Sequence, residues 1–207
     1  FTPEQWFQII SAASETKEVW LDMFDGYSVS ILRENIRAIY GIKFQSSTLN
    51  NYSLFNKLKN IDLSQIKILV NISSHPRKEI PGIIRRVEEE LVPEEVILQV
   101  GFQDYPTSIE NSGLNKIPLL QAEFHHRISF GDHTDAGDAN ALYLPVKAAI
   151  LGASVIEKHV CHSSMDTRYD ASASLTIERY NESVALLKRC MRAMTQPFIN
   201  EWGTQYL

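Results

Sequence analysis

Residues 128–159, ISFGDHTDAGDANALYLPVKAAILGASVIEKH, decide the fold that we predict for this chain of 207 residues. The apolar start of the stretch predicts a strand that ends in Gly131-Asp132-His133-Thr134. A helix is predicted over about residues 140–151 and a second strand over residues 154–159. Strand, helix and strand in this order form the repeating unit of parallel α/β folds.

Each of the two predicted strands ends in a histidine, His133 in the first and His159 in the second. Adjacent strands of a parallel sheet lie ~5 Å apart, and their carboxyl ends lie on one face. Two imidazoles placed there can reach one metal ion, and neutral imidazole is a common metal ligand. Two unrelated surface or hydrogen-bonded histidines are the alternative. The strand ends favour the metal site, because α/β folds keep their sites there.

The rest of the chain repeats the same alternation of strands and helices. Strands are predicted to begin near residues 19, 42, 67, 96, 128 and 154, at a spacing of roughly 25 residues that is typical of βα units. Helices are predicted near residues 2–13, 28–39, 50–58, 81–91, 108–116, 140–151 and 176–194. Six strands fit either a doubly wound sheet or a TIM (β/α)8-type barrel that lacks its first two strands. We expect one α/β domain over residues 1–195 and an irregular tail over residues 196–207.

Composition excludes several classes of function. Apolar residues make up 44% of the chain, which is enough for a core. The net charge is −5 and no basic block is present, so a nucleic acid partner is not expected. No apolar run approaches the ~18 residues of a membrane span. The chain has 2 cysteines, too few for a disulfide scaffold, and we expect a reducing cytoplasm.

The two histidine motifs resemble those of the N-acetylneuraminate (sialic acid) synthase family. Asp132-His133-Thr134 matches the S-D-H-T motif of that family, and Glu157-Lys158-His159 matches its E-K-H motif. The family condenses phosphoenolpyruvate with N-acetylmannosamine on a TIM barrel with a divalent metal. The resemblance therefore implies a transferase in which His133 and His159 hold Mn²⁺ or Mg²⁺.

Weaker matches follow in the same order along the chain. Phe24-Asp25 resembles a P-F-D segment, residues 43–46 (KFQS) resemble K-I-x-S, residues 105–107 match Y-P-T, and Asp170 with Ser174-Leu175 resembles D-H-x-x-S-L. The resemblance implies that the chain holds barrel strands three to eight. The first two strands and the antifreeze-like C-terminal domain of the family have no counterpart in it. A homodimer is also implied.

The resemblance also assigns roles to individual residues. The anion phosphoenolpyruvate needs a cation and hydroxyl or amide donors, which are expected from Lys43, Ser46 and Asn71. Tyr105 and Asp170 are expected at the amino-sugar. Glu157 alternates with His159 along the strand and is expected to orient it. The predicted catalytic residues are Lys43, Tyr105 and Glu157.

Several positions depart from the family pattern, three of them where it uses hydroxyls around the phosphate. Gly131 replaces the Ser of S-D-H-T, Asp22 and Met23 replace the Thr-Pro before Phe24, residues 71–73 (NIS) replace S-T-G, and Ala171 replaces a His. Asp22 adds a negative charge. Two like charges ~4 Å apart repel by roughly 4 kcal/mol at an effective dielectric constant of ~20. That repulsion corresponds to about three decades of phosphate affinity.

Three functions remain open from the sequence. The first is the condensation of phosphoenolpyruvate with an N-acyl amino-sugar. The second is a degenerate, non-catalytic paralogue that binds a sugar or a partner protein, which the changes at Asp22 and Gly131 support. The third is a metal-dependent barrel aldolase or lyase that acts on another, unphosphorylated 2-keto acid.

Overall fold

The computed structural model describes residues 1–101, 104–162 and 169–195, and the backbone of residues 198–199 and 205–206. Its sheet strands are β1 (Val19–Asp22), β2 (Ile39–Phe44), β3 (Lys67–Asn71), β4 (Glu95–Val100), β5 (Arg127–Asp132) and β6 (Ala153–Lys158). Its α-helices are α1 (Pro3–Ser14), α2 (Gly26–Asn35), α3 (Tyr52–Leu58), α4 (Ile80–Leu91), α5 (Lys116–Phe124), α6 (Leu144–Ile150) and α7 (Ile177–Thr195). The alternation confirms the predicted α/β class.

The six strands form one parallel sheet in the order in which they occur along the chain, from β1 to β6. A doubly wound sheet reverses its strand order at a switch point, whereas a (β/α)8 barrel keeps the chain order throughout. The observed order is therefore that of a barrel-type sheet. The neighbouring strands β1 and β2, β2 and β3, and β3 and β4 each pair in parallel. Asp22 lies opposite Lys43, and Asn71 lies opposite Gln99.

Two compact units can be distinguished, and each has its own packing. The first comprises Phe1–Val100 and Leu120–Ser129, and the second comprises Gly101–Leu119 and Phe130–Leu207. In the first unit the continuous apolar runs of β2, β3 and β4 are buried, and Phe44 of β2 stacks on Phe55 of α3 at 5.0 Å between ring centroids. Such runs are typical of parallel strands that are covered on both faces.

The second unit contains the end of β5, then α6, β6 and α7. Helix α6 packs against α7, where the buried Ser183 hydroxyl donates a hydrogen bond to the carbonyl of Leu142 at 3.1 Å. After β6 the chain forms two short strands that pair in parallel, β7 (Val160–Cys161) and β8 (Leu175–Thr176). The predicted irregular tail lies mostly outside the described residues. Within it, β9 (Phe198–Ile199) and β10 (Gln205–Tyr206) pair in an antiparallel manner.

Helix boundaries follow capping residues and prolines. Thr2 caps α1: its hydroxyl accepts a hydrogen bond from the Gln5 amide, and the Gln5 side chain accepts one from the Thr2 amide. The helix predicted at residues 108–116 is wrong. A short 3-10 turn, Ile109–Asn111, lies there, and α5 begins only at Lys116. Proline is tolerated in the first turn of a helix, so Pro118 marks the start of α5.

Two other helices are shorter than predicted. Helix α6 begins at Leu144 instead of residue 140, with Pro145 in its first turn. Helix α2 ends at Asn35 and gives way to a 3-10 turn, so that β2 starts at Ile39, three residues before the predicted start. No α-helix in the described ranges combines the length and the apolar character that crossing a lipid bilayer requires.

Replacing Gly101 with alanine is expected to destabilise the second unit. Gly101 has φ +140°, and a Cβ atom there would lie 2.2 Å from the carbonyl oxygen of Gly131. Backbone strain and overpacking together should lower the free energy of unfolding by about 2 to 5 kcal/mol. The matched control is Gly82→Ala in α4, where a Cβ would meet nothing within 4 Å. That change should stabilise by about 0.5 to 1 kcal/mol. Chemical denaturation measures both, and equal stability of the two variants would contradict the expectation.

Candidate active site

The two predicted metal ligands lie together in the second unit, at the carboxyl ends of β5 and β6. His133 follows β5 directly, and His159 follows β6. Their ring centroids are 5.2 Å apart. Tyr105 joins them, with its ring 4.8 Å from that of His133 and 6.1 Å from that of His159. The segment that carries Tyr105 is held in place by the Thr107 amide, which donates to the carbonyl of His133 at 2.9 Å.

This site contains buried polar atoms that lack a protein partner. Among the described residues, the Nε2 atom of His159 and the hydroxyl oxygen of Thr134 are buried without a hydrogen-bond partner. Buried polar groups in native proteins are nearly always satisfied by protein, water or ligand. These two atoms therefore fit a site that is completed by a bound group.

A carboxylate stands on the other side of the His159 ring. Asp170 places its Oδ2 atom 3.9 Å from Nδ1 of His159, which is too long for a hydrogen bond. Metal-bound histidines commonly direct their second nitrogen towards a carboxylate. Asp170 was predicted at the amino-sugar, and the structure places it beside His159. Glu157 is half-buried in β6, and the predicted role of its carboxylate in orienting His159 stays a prediction.

A buried ion pair lies beside the histidines, and the sequence prediction did not include it. Lys158 places its ammonium group 3.2 Å from Oδ2 of Asp132, and the two side chains are 3% and 0% exposed. Burial lowers the pKa of Lys158 below its ordinary value, although the charge of Asp132 acts in the opposite direction. Asp132 belongs to the motif that contains His133, and Lys158 belongs to the motif that contains His159. The sequence signal for the ion pair was the presence of opposite charges at the ends of two predicted strands.

The donor set fits a metal ion bound partly by substrate or water. In the parts of the chain that the structure describes, no three His, Cys, Asp or Glu side chains are grouped as a complete metal centre. Two imidazoles with centroids 5.2 Å apart nevertheless leave room for one ion between them, since metal–nitrogen bonds are ~2.1 Å long. The remaining positions would fall to oxygen ligands, which Mg²⁺ and Mn²⁺ prefer.

The predicted anion-binding residues Lys43, Ser46 and Asn71 lie in the first unit, at the carboxyl ends of β2 and β3. Lys43 is 6% exposed. Its ammonium nitrogen lies 3.8 Å from Oδ1 of Asp22, whose side chain is 38% exposed. Asp22, which replaces a threonine of the family pattern, therefore places its carboxylate within ion-pair distance of Lys43, the cation expected to bind phosphate.

A chain of hydrogen bonds extends from Asp22 across the three strand ends. Gln45 donates to Oδ2 of Asp22 at 3.1 Å, and Asn71 donates to the side-chain oxygen of Gln45 at 3.2 Å. The hydroxyl of Ser46 donates to the backbone and side-chain oxygens of Asn71 at 2.8 and 3.1 Å. Ser46 and Asn71, two of the predicted substrate-binding residues, thus lie together. Gln45 was not predicted, although its position between Lys43 and Ser46 could have suggested it.

Parallel strands in chain order, with polar side chains at their carboxyl ends, define a barrel-type α/β protein with its sites at the strand ends. The model of the NeuB family matches residues 2–197, and the chain belongs to this family. The resemblance to sialic acid synthases that the two histidine motifs indicated is confirmed at the level of the family.

Named relatives agree with this assignment. A pseudaminic acid synthase of Campylobacter jejuni subsp. jejuni is 25% identical over 196 residues, which is 93% of this chain and 54% of that protein. The N-acetylneuraminic acid (sialic acid) synthetase of Leptospira borgpetersenii, solved in complex with citrate, has a TM-score of 0.79 at 17% identity, covering 97% of this chain and 66% of that one.

A second solved structure has the same fold. The spore coat polysaccharide biosynthesis protein spsE of Bacillus subtilis has a TM-score of 0.75 at 21% identity, covering 96% of this chain and 54% of that one. At these identities the two structures show the fold alone. The chain spans about half the length of the curated synthase that it matches, 54%.

Proposed function

We propose that the chain supplies site residues for the condensation of phosphoenolpyruvate with an N-acyl amino-sugar such as N-acetylmannosamine, a transferase reaction. The observation that carries the proposal is the pair of histidines at adjacent strand ends, 5.2 Å apart, with Tyr105 against both rings. The family assignment supports a condensation of this class. The mapping of the six strands onto barrel strands three to eight is part of the same proposal.

In the second unit, His133 and His159 would hold a divalent metal ion, Mn²⁺ or Mg²⁺, as ligands. Such an ion supplies Lewis acidity towards the carbonyl oxygen of the sugar aldehyde. Tyr105 is 46% exposed beside the two rings, where its hydroxyl can bind a sugar hydroxyl. Asp170, at 39% side-chain exposure, offers a second hydrogen-bond acceptor. Glu157 is proposed to orient His159.

In the first unit, Lys43 provides the positive charge for phosphoenolpyruvate. Ser46 and Asn71 provide hydroxyl and amide groups beside it. Ser46 already donates to Asn71, and Asn71 donates to Gln45, so that their orientations are set before a ligand arrives. Both groups of residues stand at carboxyl ends of strands, where barrels of this type keep their catalytic residues.

The proposed reaction needs three reactants: phosphoenolpyruvate, the amino-sugar and water. The methylene carbon of phosphoenolpyruvate forms a bond to the aldehyde carbon of the sugar, and the aldehyde oxygen takes up a proton. Water adds to the carbon that bears the phosphate, and inorganic phosphate leaves as the 2-keto group forms. The groups of the protein would orient each reactant and stabilise the charge that develops on the aldehyde oxygen.

One observation favours a second candidate function. Asp22 lies 3.8 Å from Lys43 and also accepts a hydrogen bond from Gln45, so that much of the charge of this lysine is already balanced. A site with a balanced cation suits a singly charged, unphosphorylated 2-keto acid better than a phosphate ester. The alternative is then a metal-dependent aldolase or lyase on such a substrate.

A homodimer and a cytoplasmic location remain predictions from the sequence.

The decisive experiment measures phosphate release from phosphoenolpyruvate in the presence of N-acetylmannosamine and Mn²⁺, using the protein in its full length. Control reactions omit the metal, the sugar or the protein. Release that needs all of these components is expected. If phosphate is not released, cleavage or condensation assays with pyruvate in place of phosphoenolpyruvate test the second candidate. Absence of both activities, with phosphoenolpyruvate binding weaker than millimolar, would favour a non-catalytic paralogue.

A further inference from the structure

A closed set of polar contacts surrounds the backbone that carries the two histidines. Lys158 donates a hydrogen bond from its ammonium group to the carbonyl of Thr134 at 2.9 Å and pairs with Asp132 at 3.2 Å. The Thr134 amide donates to Oδ1 of Asp132 at 2.8 Å. Asp132 and Thr134 flank His133 in the chain, and Lys158 directly precedes His159. One lysine therefore ties the residue before His159 to both neighbours of His133.

From these contacts we propose that Asp132 and Lys158 are positioning residues, which fix the backbone of His133 relative to that of His159 so that both rings can bind one metal ion. We call this set, Asp132, Thr134 and Lys158, the strand-end clamp. The inference rests on the metal site of the proposed function, and it assigns no contact between the clamp and the metal.

The burial of the clamp argues against a role in stability alone. Both charged side chains are almost fully buried, at 0% and 3% exposure. Removing two charges from water is costly, and well-packed apolar residues of the same volume often stabilise a fold as well or better. A buried ion pair of this kind is better explained by a role in fixing the relative positions of the residues beside it. Sites of metals and substrates need their ligands held to within about 0.5 Å by the residues behind them.

The clamp also accounts for how two separate strand ends can present a prearranged pair of ligands. Without Lys158, the turn after β5 would keep the Asp132–Thr134 contact and the hydrogen bond from the Thr107 amide to the His133 carbonyl. The backbone before His159 would lose its tie to that turn through Lys158. The rings would then have to be ordered when the metal binds, and metal affinity would fall. Substitutions in the shell behind metal ligands typically weaken metal affinity by about 10- to 100-fold.

The test is the affinity for Mn²⁺ of Lys158→Met, measured by titration calorimetry or by the electron paramagnetic resonance of free Mn²⁺. The loss of the positive charge and the loss of the clamp are expected to change the Mn²⁺ affinity of this variant in opposite directions. Removing a positive charge near a cation site strengthens cation binding if Coulomb attraction alone acts. Loss of the clamp instead weakens it, and we expect a weakening of about 10- to 100-fold. Unchanged or tighter binding by the folded variant would overturn the proposal.

A second variant covers the case in which Lys158→Met fails to fold. The double variant Asp132→Asn with Lys158→Met leaves no unpaired buried charge and keeps the local net charge constant. It is expected to fold and to show the same loss of Mn²⁺ affinity. The control is Lys67→Met at the start of β3, where a lysine of 15% side-chain exposure contacts Glu94 and Glu95. This control should lose stability without losing metal affinity.

The outcomes separate this inference from the function on which it rests. If the wild-type protein binds Mn²⁺ and the double variant binds it equally well, the clamp is only structural and the proposed metal site stands. A lower melting temperature with unchanged affinity leads to the same conclusion. If the wild-type protein binds no Mn²⁺, the metal site and the clamp both fail.

Discussion

Alanine in place of His133 or His159 is expected to abolish the binding of Mn²⁺ while the fold is kept. The described structure offers two imidazoles and no third protein ligand in the same group, so that each histidine supplies half of the protein donors. Loss of one should weaken binding by more than the roughly 100-fold that loss of a supporting residue causes. Titration of each variant with Mn²⁺ measures the effect, and circular dichroism checks the fold.

A histidine elsewhere in the chain provides the control for this experiment. His125 is exposed in the turn before β5, and its φ of +57° is one that asparagine tolerates well. His125→Asn removes an imidazole without straining the backbone and should bind Mn²⁺ like the wild type. Full metal stoichiometry in both His133→Ala and His159→Ala would refute the metal site. A loss in all three variants would point to non-specific binding by surface histidines.

The fold was largely predictable because its signals are local. Each strand is a short apolar run, and the alternation of strands with helices indicates a parallel α/β sheet. The predicted helix boundaries are wrong where the boundary depends on a turn or a proline. The sequence predicts a helix over residues 108–116, whereas α5 begins at Lys116 with Pro118 in its first turn. The choice between a barrel and a doubly wound sheet needed the strand order, which no local pattern contains.

The two histidines of the candidate site could be identified from the sequence, whereas the contacts that support them could not. His133 and His159 are recognisable from motifs at strand ends, and the structure brings them together. The pairing of Lys158 with Asp132 depends on how two strand ends meet in three dimensions, and no spacing in the sequence reports it. The same holds for Gln45, which links Asp22 to Asn71 through side-chain geometry alone.

Asp22→Asn is expected to raise the affinity for phosphoenolpyruvate by as much as about three decades. The carboxylate lies 3.8 Å from Lys43, so that it competes with phosphate for this cation and repels the incoming anion. Repulsion between charges ~4 Å apart amounts to roughly 4 kcal/mol at an effective dielectric constant of ~20. Asparagine keeps an oxygen that can accept the hydrogen bond from Gln45, and the network across the strand ends should persist.

Calorimetric titration with phosphoenolpyruvate compares the variant with the wild type and with Asp62→Asn. Asp62 lies in the turn before β3, where its carboxylate accepts a hydrogen bond from the Ser64 amide. Its replacement removes the same charge away from Lys43, and it should leave phosphoenolpyruvate binding unchanged. Equal affinities of Asp22→Asn and the wild type would show that this carboxylate does not limit phosphate binding. If Asp22→Asn binds phosphoenolpyruvate tightly but the wild type prefers pyruvate, Asp22 is the residue that selects an unphosphorylated 2-keto acid. The second candidate function would then replace the first.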